Sequence, residues 1–241
     1  VNLNDYQLDQ WRLVHMGAQP IPPSLINNWK KIFPHHDYDT NYGLTESTGP
    51  GCVHLGMENT HKVGAIGVPG FDWEFKIVDF DLKTVDRGEP GELLIRGPGV
   101  MKEYYKNPEA TEATLKDGWL LTGDIGREDE DGYFYITGRK KDLIIYKGYN
   151  VYPREIEEII FEHPAVRQCA VVGKPDQAAG ELPVAFIELV EGQRVTAEEI
   201  MEHTNPQIAR YKKIREVIFM DKIPVSGPGK VLKKVLREQF E

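Results

Sequence analysis

The chain has 241 residues, 40% of them hydrophobic and 28% charged, a composition that fits a folded globular chain with a sizeable core and excludes a disordered one. Its net charge of −9 argues against a general nucleic-acid or acidic-membrane binder. Two distant cysteines, Cys52 and Cys169, supply neither a disulfide framework nor a metal spacing, and a reducing cytoplasm is the expectation.

No apolar run approaches the roughly 18 residues of a membrane span, and no signal peptide opens the chain. The first residue is Val1, which suggests a processed chain or a piece of a longer one. The charge is uneven. From Pro206 to Glu241 nine basic residues face four acidic ones, and most of these read as a solvated face rather than an anion site.

In chain order, a short apolar stretch at Arg12–Met16 precedes a Pro-rich turn. A helix is expected over Ser24–Ile32, with Ser24 as its N-cap. A Gly/Thr/Ser-rich loop region follows. From Phe71 the pattern changes to short strands at 72–80, 91–98, 118–126 and 129–138, the last led by a turn, as in a small barrel or curled sheet. Strands and helices interleave from Lys141. The segments 142–148, 166–173, 182–190 and 216–224 read as strands. Pro153 opens a helix whose Ile156, Ile159 and Ile160 form a stripe that Pro164 ends. Thr196 and Glu199 form a capping box. The last helix is expected to run through 228–240 with Val231, Leu232, Val235 and Leu236 on one face.

Single motifs are weak. His35, His36 and Asp37 read as a solvated loop rather than a metal site. The run 226–234, SGPGKVLKK, lacks phosphate-loop spacing but delivers Lys230 from a flexible turn, where a lysine acts as a point charge. In 41–47, NYGLTES, Tyr42 is an aromatic able to stack on a base. Thr45 is a donor for a phosphate oxygen, and Glu46 is a carboxylate for Mg²⁺ with its waters. Asp124, in TGD at 122–124, has two oxygens suited to a vicinal diol, though a turn-capping Asp reads as easily.

Their order decides more than any one alone. The succession YGLTE, GELLIRGPGVMKEYY, GWLLTGDIG, GYFYITGRKKDLIIYKGYNVYPREIE, LPVAFIEL and PVSGPGKVLKKVLRE, from about Arg12 to the end, resembles the adenylate-forming superfamily. Within it the chain looks like the C-terminal part of a fatty-acyl or medium-chain acyl-CoA synthetase. The resemblance implies an α/β and α+β chain. Residues 1–70 would be the end of the large AMP-binding domain, 71–140 a β-barrel-like subdomain, and 141–241 a mobile C-terminal domain.

The family activates a small carboxylic acid with ATP, then passes the acyl group to a thiol such as CoA. By resemblance, Gly17, Ala18 and Gln19 lie along adenine and Tyr42 and Gly43 flank it. Thr45 contacts the α-phosphate, Glu46 binds Mg²⁺, and Asp124, helped by Arg139, holds the ribose. Lys141 is the hinge. Lys147, Gly148 and Tyr149 line the CoA tunnel. Lys230 is the mobile lysine of adenylation. The family's Ser/Thr/Gly-rich loop for the outer phosphates has no counterpart in residues 1–34, so the chain alone is expected not to adenylate. An adenylation domain serving a carrier protein and a non-catalytic binding module are the alternatives.

Overall fold

The computed structural model describes residues 5, 6, 8, 10–17, 21, 23–53, 62–227 and 230–240. They fall into two compact units, Val1–Ile136 and Thr137–Glu241. Among the described residues no helix is long and apolar enough to cross a membrane.

The first unit opens with β1 (Leu13–Met16), α1 (Pro23–Ile32) and β2 (Asp37–Thr40). The strands pair in parallel from Leu13↔Asp37 to Met16↔Thr40, and α1 is the crossover that a parallel pair needs. The helix starts at Pro23, a residue pre-set for a first helical position. Ser24 therefore lies inside the first turn and is not the cap that was expected. Ile26 is the buried anchor of α1, while Trp11 meets Phe33 edge-on at 5.0 Å between ring centroids.

A hairpin of β3 (Gly43–Leu44) and β4 (Gly49–Pro50) encloses a 3-10 turn at Thr45–Ser47. Seven strands then form one sheet. They are β5 (Cys52–Val53), β6 (Ala65–Pro69), β7 (Glu74–Val78), β8 (Gly91–Arg96), β9 (Leu115–Lys116), β10 (Trp119–Glu128) and β11 (Phe134–Arg139). The order is β5-β6-β11-β10-β8-β7, with β9 beside β10, and α2 (Pro108–Thr114) leads into β9. The expected strands are present, and the sheet also recruits β5 and β6 from before Phe71. Ile77, Leu93, Ile95, Leu120 and Phe134 form its core.

In the second unit, β12 (Ile144–Tyr146) and β13 (Tyr149–Val151) make a hairpin where one strand was expected. Then come α3 (Pro153–Phe161), β14 (Val166–Asp176), β15 (Gly180–Leu189), α4 (Ala197–Thr204), β16 (Glu216–Phe219) and α5 (Lys233–Arg237). The sheet runs β13-β12-β15-β14, with β16 parallel to β15. Alternate strand residues feed opposite faces. Val171, Ala185 and Ile187 pack with Ile156, Ile160 and Ile200 of α3 and α4. Ala170, Val172, Val184 and Phe186 pack with Ile223 and Leu236.

The capping box at Thr196 forms in both directions, at 2.8 and 3.2 Å. The last helix departs from expectation. Val231 bridges back to Val225, and α5 spans only Lys233–Arg237. Leu236 is fully buried, whereas Leu232 and Val235 are exposed.

Candidate functional site

Asp124 is buried because β10 is bulged where it sits. The β8–β10 register reads Leu121↔Leu94 and then Ile125↔Glu92, which gives β10 extra residues between these pairs. A bulge re-aims a side chain, and the sequence allows one here because Gly123 takes φ +68° without a Cβ penalty. The bulge is pinned on three sides. Thr122 donates through Oγ1 to Leu93 O at 2.7 Å and accepts from Asp124 N–H at 3.0 Å. Gly123 N–H donates to Glu92 Oε1 at 3.1 Å.

Tyr42 comes from the segment between β2 and β3, 82 positions earlier, and its phenol donates to Asp124 Oδ2 at 2.6 Å. Its backbone is held by Cys52, whose Sγ accepts from Tyr42 N–H at 3.1 Å and donates to Tyr42 O at 3.3 Å. Burial pushes the Cys52 thiol up to about 12, so this sulfur is a structural partner and not a nucleophile. The structure thus brings together the expected aromatic and the expected diol-binding carboxylate.

Glu46 occupies the 3-10 turn beside exposed Thr45. Ser47 holds this turn, accepting from Leu44 N–H at 2.9 Å and donating to Gly49 O at 2.7 Å. A second grip comes from residues 101–104. Met101 N–H donates to Glu46 O at 2.7 Å, and the Tyr104 phenol donates to Glu46 Oε1 at 2.8 Å. That hydrogen bond holds the Tyr104 phenol above its usual range, and burial adds to the effect. Sequence reasoning missed Tyr104, because its partner lies 58 positions away and no local pattern links them.

Gly17 follows β1, and a Cβ there would stand 2.5 Å from Asn41 Oδ1, so a larger residue would need the Asn41 side chain to move. Gly43 is exposed at the start of β3. Ala18 and Gln19 lie outside the described residues.

The remaining expected residues belong to the second unit. Arg139 ends β11, and exposed Lys141 sits in a 3-10 turn at Lys140–Asp142. Lys147 and Gly148 form the two-residue loop of the β12–β13 hairpin, with φ of +49° and +81°. Positive φ at both positions is the signature of a type I′ turn. Exposed Tyr149 stacks on Tyr211 at 5.0 Å between centroids. Lys230 is exposed in the turn between Val225 and Val231 rather than at a helix start. There its N–H donates to Ser226 Oγ at 3.2 Å and its carbonyl accepts from Ser226 N–H at 2.8 Å.

Among the described residues no group of three His, Cys, Asp or Glu side chains could cage a metal ion. A single carboxylate such as that of Glu46 is compatible with Mg²⁺, which binds through one or two carboxylates, substrate phosphates and waters.

The AMP-binding enzyme family matches residues 2–105, and the AMP-binding enzyme C-terminal domain matches residues 155–230. The chain is 42% identical over 231 residues to 4-coumarate–CoA ligase-like 4 of Oryza sativa subsp. japonica, covering 95% of this chain and 42% of that one. It is 40% identical over 244 residues to 4-coumarate–CoA ligase 2 of Nicotiana tabacum, covering 99% and 45%. The chain therefore spans less than half the length of these relatives. Among solved structures, the amide bond synthetase McbA of Marinactinospora thermotolerans superposes with a TM-score of 0.90 at 33% identity, covering 99% of this chain and 49% of that one. The o-succinylbenzoate CoA synthetase MenE of Bacillus subtilis, in complex with the acyl-adenylate intermediate OSB-AMP, gives 0.84 at 33% identity, covering 94% and 46%.

Proposed function

We propose, for a chain that belongs to the adenylate-forming superfamily, that it is part of an acid–thiol ligase. That enzyme would join a carboxylic acid to ATP as an acyl-adenylate, releasing pyrophosphate, and then pass the acyl group to CoA. The observation that carries the reading is the hydrogen bond from half-buried Tyr42 to buried Asp124, with Glu46 fixed by Tyr104 in the same unit. An aromatic face and a carboxylate joined by one hydrogen bond suit a base and its ribose diol.

In this reading Tyr42 stacks on adenine, Asp124 accepts from the ribose hydroxyls, and Arg139 assists in holding the ribose. Gly17, Ala18, Gln19 and Gly43 frame the base. Thr45 donates to the α-phosphate. Glu46 would hold Mg²⁺, which supplies charge neutralisation at the phosphates. Lys230 stabilises the negative charge that grows around the α-phosphorus, Lys141 serves as the hinge, and Lys147, Gly148 and Tyr149 line the path of CoA. The names of the curated relatives favour an aromatic acid of the 4-coumarate kind over the fatty-acyl class. The 241 residues alone do not adenylate, since they contain no Ser/Thr/Gly-rich loop for the outer phosphates.

Joining the chain behind the upstream part of the Nicotiana tabacum ligase tests the proposal. The chimera should catalyse ATP–pyrophosphate exchange and form acyl-CoA. Lys230→Ala should lower adenylation on the order of 10²–10³-fold, yet spare thioester formation from a supplied acyl-adenylate. Equal loss of both steps would reassign the lysine, and robust exchange by the isolated chain would refute its proposed inactivity.

A further inference from the structure

The segment after Lys230 is tied down at both ends of one short helix. At the start of α5, Lys233 Nζ lies 2.6 Å from Glu157 Oε1, with side chains only 16% and 15% exposed. The same Oε1 accepts from Val171 N–H at 2.7 Å, so α3, β14 and α5 meet at one carboxylate. At the end of α5, Arg237 Nη2 donates to Asp142 Oδ1 at 2.6 Å and to Lys141 O at 3.3 Å. Between these anchors Leu236 is fully buried against Ala170, Val172 and Phe186.

A helix of five residues has no stability of its own in water, because nucleation costs more than so few hydrogen bonds return. Its position is therefore set by its anchors. Those anchors reach in two directions. Lys230 precedes α5 by three residues, in a turn closed by Ser226 N–H to Lys230 O and Leu232 N–H to Pro224 O. The Lys140–Asp142 turn is gripped from the other end of the same helix.

We propose that α5 is a strut joining the Lys141 turn to the Lys230 turn, with Lys233 and Arg237 as positioning residues for Lys230. The proposal rests on the reading above only for the roles of Lys141 and Lys230. The mechanical coupling stands on the two ion pairs. A strut transmits. Loosening either anchor should loosen the far turn as well as the near one, because coupling between two sites is reciprocal.

Amide hydrogen exchange of the 241-residue chain, read residue by residue by NMR, tests the coupling. Arg237→Met removes one anchor. Glu157→Gln with Lys233→Met removes the other without leaving a lone buried charge. Each should speed exchange roughly tenfold, the scale of a lost hydrogen bond to a charged group. The effect should reach Leu143 N–H, which donates to Lys140 O, and also Ser226 and Leu232. The amides of the β14–β15 ladder should stay protected in every folded variant. Lys233→Arg, which keeps the charge but changes its reach to Glu157, repeats the test of that anchor should the double variant not fold. Loosening confined to each variant's own end would overturn the strut.

In the chimera, Arg237→Met should lower adenylation roughly tenfold and leave transfer from a supplied acyl-adenylate within about twofold. An unchanged adenylation rate would refute the positioning role of Arg237. If Lys230→Ala itself spares adenylation, the assigned role of Lys230 fails while the exchange result still judges the strut.

Discussion

The two units hold their candidate residues in opposite ways. In the first, Tyr42, Glu46 and Asp124 are each gripped by another part of the chain through a side-chain hydrogen bond. In the second, Lys141, Lys147 and Lys230 are exposed and stand on turns held by backbone hydrogen bonds. A binding surface benefits from the first arrangement, since pre-placed groups spend no free energy on ordering when a ligand arrives. A lysine that serves one step and withdraws in another benefits from the second. The difference is chemical as well. A carboxylate needs partners to orient it, whereas an ammonium group acts as a point charge from several positions.

The sharpest way to break this contrast is to damage the scaffold of the first unit. Trp73 is surrounded by glycines. A Cβ on Gly97 would lie 2.4 Å from its Cε3, one on Gly51 would lie 2.9 Å away, and one on Gly99 would lie 2.9 Å from Cζ2. The indole is a rigid ring and cannot yield as a flexible chain end would. Gly97→Ala should therefore destabilise the first unit by about 3 kcal/mol, the upper part of the overpacking range, as read by denaturant unfolding. In the second unit Gly148 has open space around its missing Cβ but φ of +81°. Gly148→Ala should cost only about 1–2 kcal/mol, from backbone strain alone. Equal costs at the two sites would refute the distinction between a crowded scaffold and an open turn.

A smaller effect is expected at the Tyr42–Asp124 pair. Tyr42→Phe keeps the aromatic face and deletes only the donor to Asp124 Oδ2. A hydrogen bond to a charged group is worth about 1.5–3 kcal/mol, part of which water recovers in the free site. AMP binding to the chimera, measured by calorimetry, should weaken roughly tenfold. An unchanged affinity would mean that Asp124 needs no orientation from Tyr42.

Such pairings explain what the sequence could and could not disclose. Local patterns were legible where they were self-contained. Thr196 and Glu199 lie three residues apart and form the expected box. The strand over 182–190 shows its two-sided burial directly, with alternate residues packed on opposite faces of the sheet. The motifs that resemble a known superfamily carried the candidate residues, and Tyr42 and Asp124 were named without any sign that they touch. Tyr104 was not named at all, because nothing near it in sequence announces a partner. The last helix misled for a definite reason. Val231, Val235 and Leu236 have helical spacing, but Val231 pairs with Val225 instead of joining the helix. β5 has only two residues, too few to carry a periodic signal.

The smallest expected effect lies in the second unit's hairpin. Lys147 adopts φ of +49°, a left-handed conformation that costs a residue with a Cβ roughly 1–2 kcal/mol. Asparagine tolerates this region best among residues with a side chain and is the usual first residue of a type I′ turn. Lys147 N–H also donates to Ala179 O at 2.7 Å, a bond that any residue other than proline preserves. Lys147→Asn should therefore stabilise the second unit by about 0.5–1 kcal/mol, read as a higher denaturation midpoint. The positive φ of Lys147 also bears on the CoA-path role proposed for it, because strained residues cluster at functional sites. In the chimera the same substitution should raise KM for CoA a few-fold, roughly the worth of one exposed ion pair, while leaving ATP–pyrophosphate exchange unchanged. Stabilisation with no change in KM would separate the strain from any role in binding CoA. Destabilisation would show that Lys147 does not strain the turn.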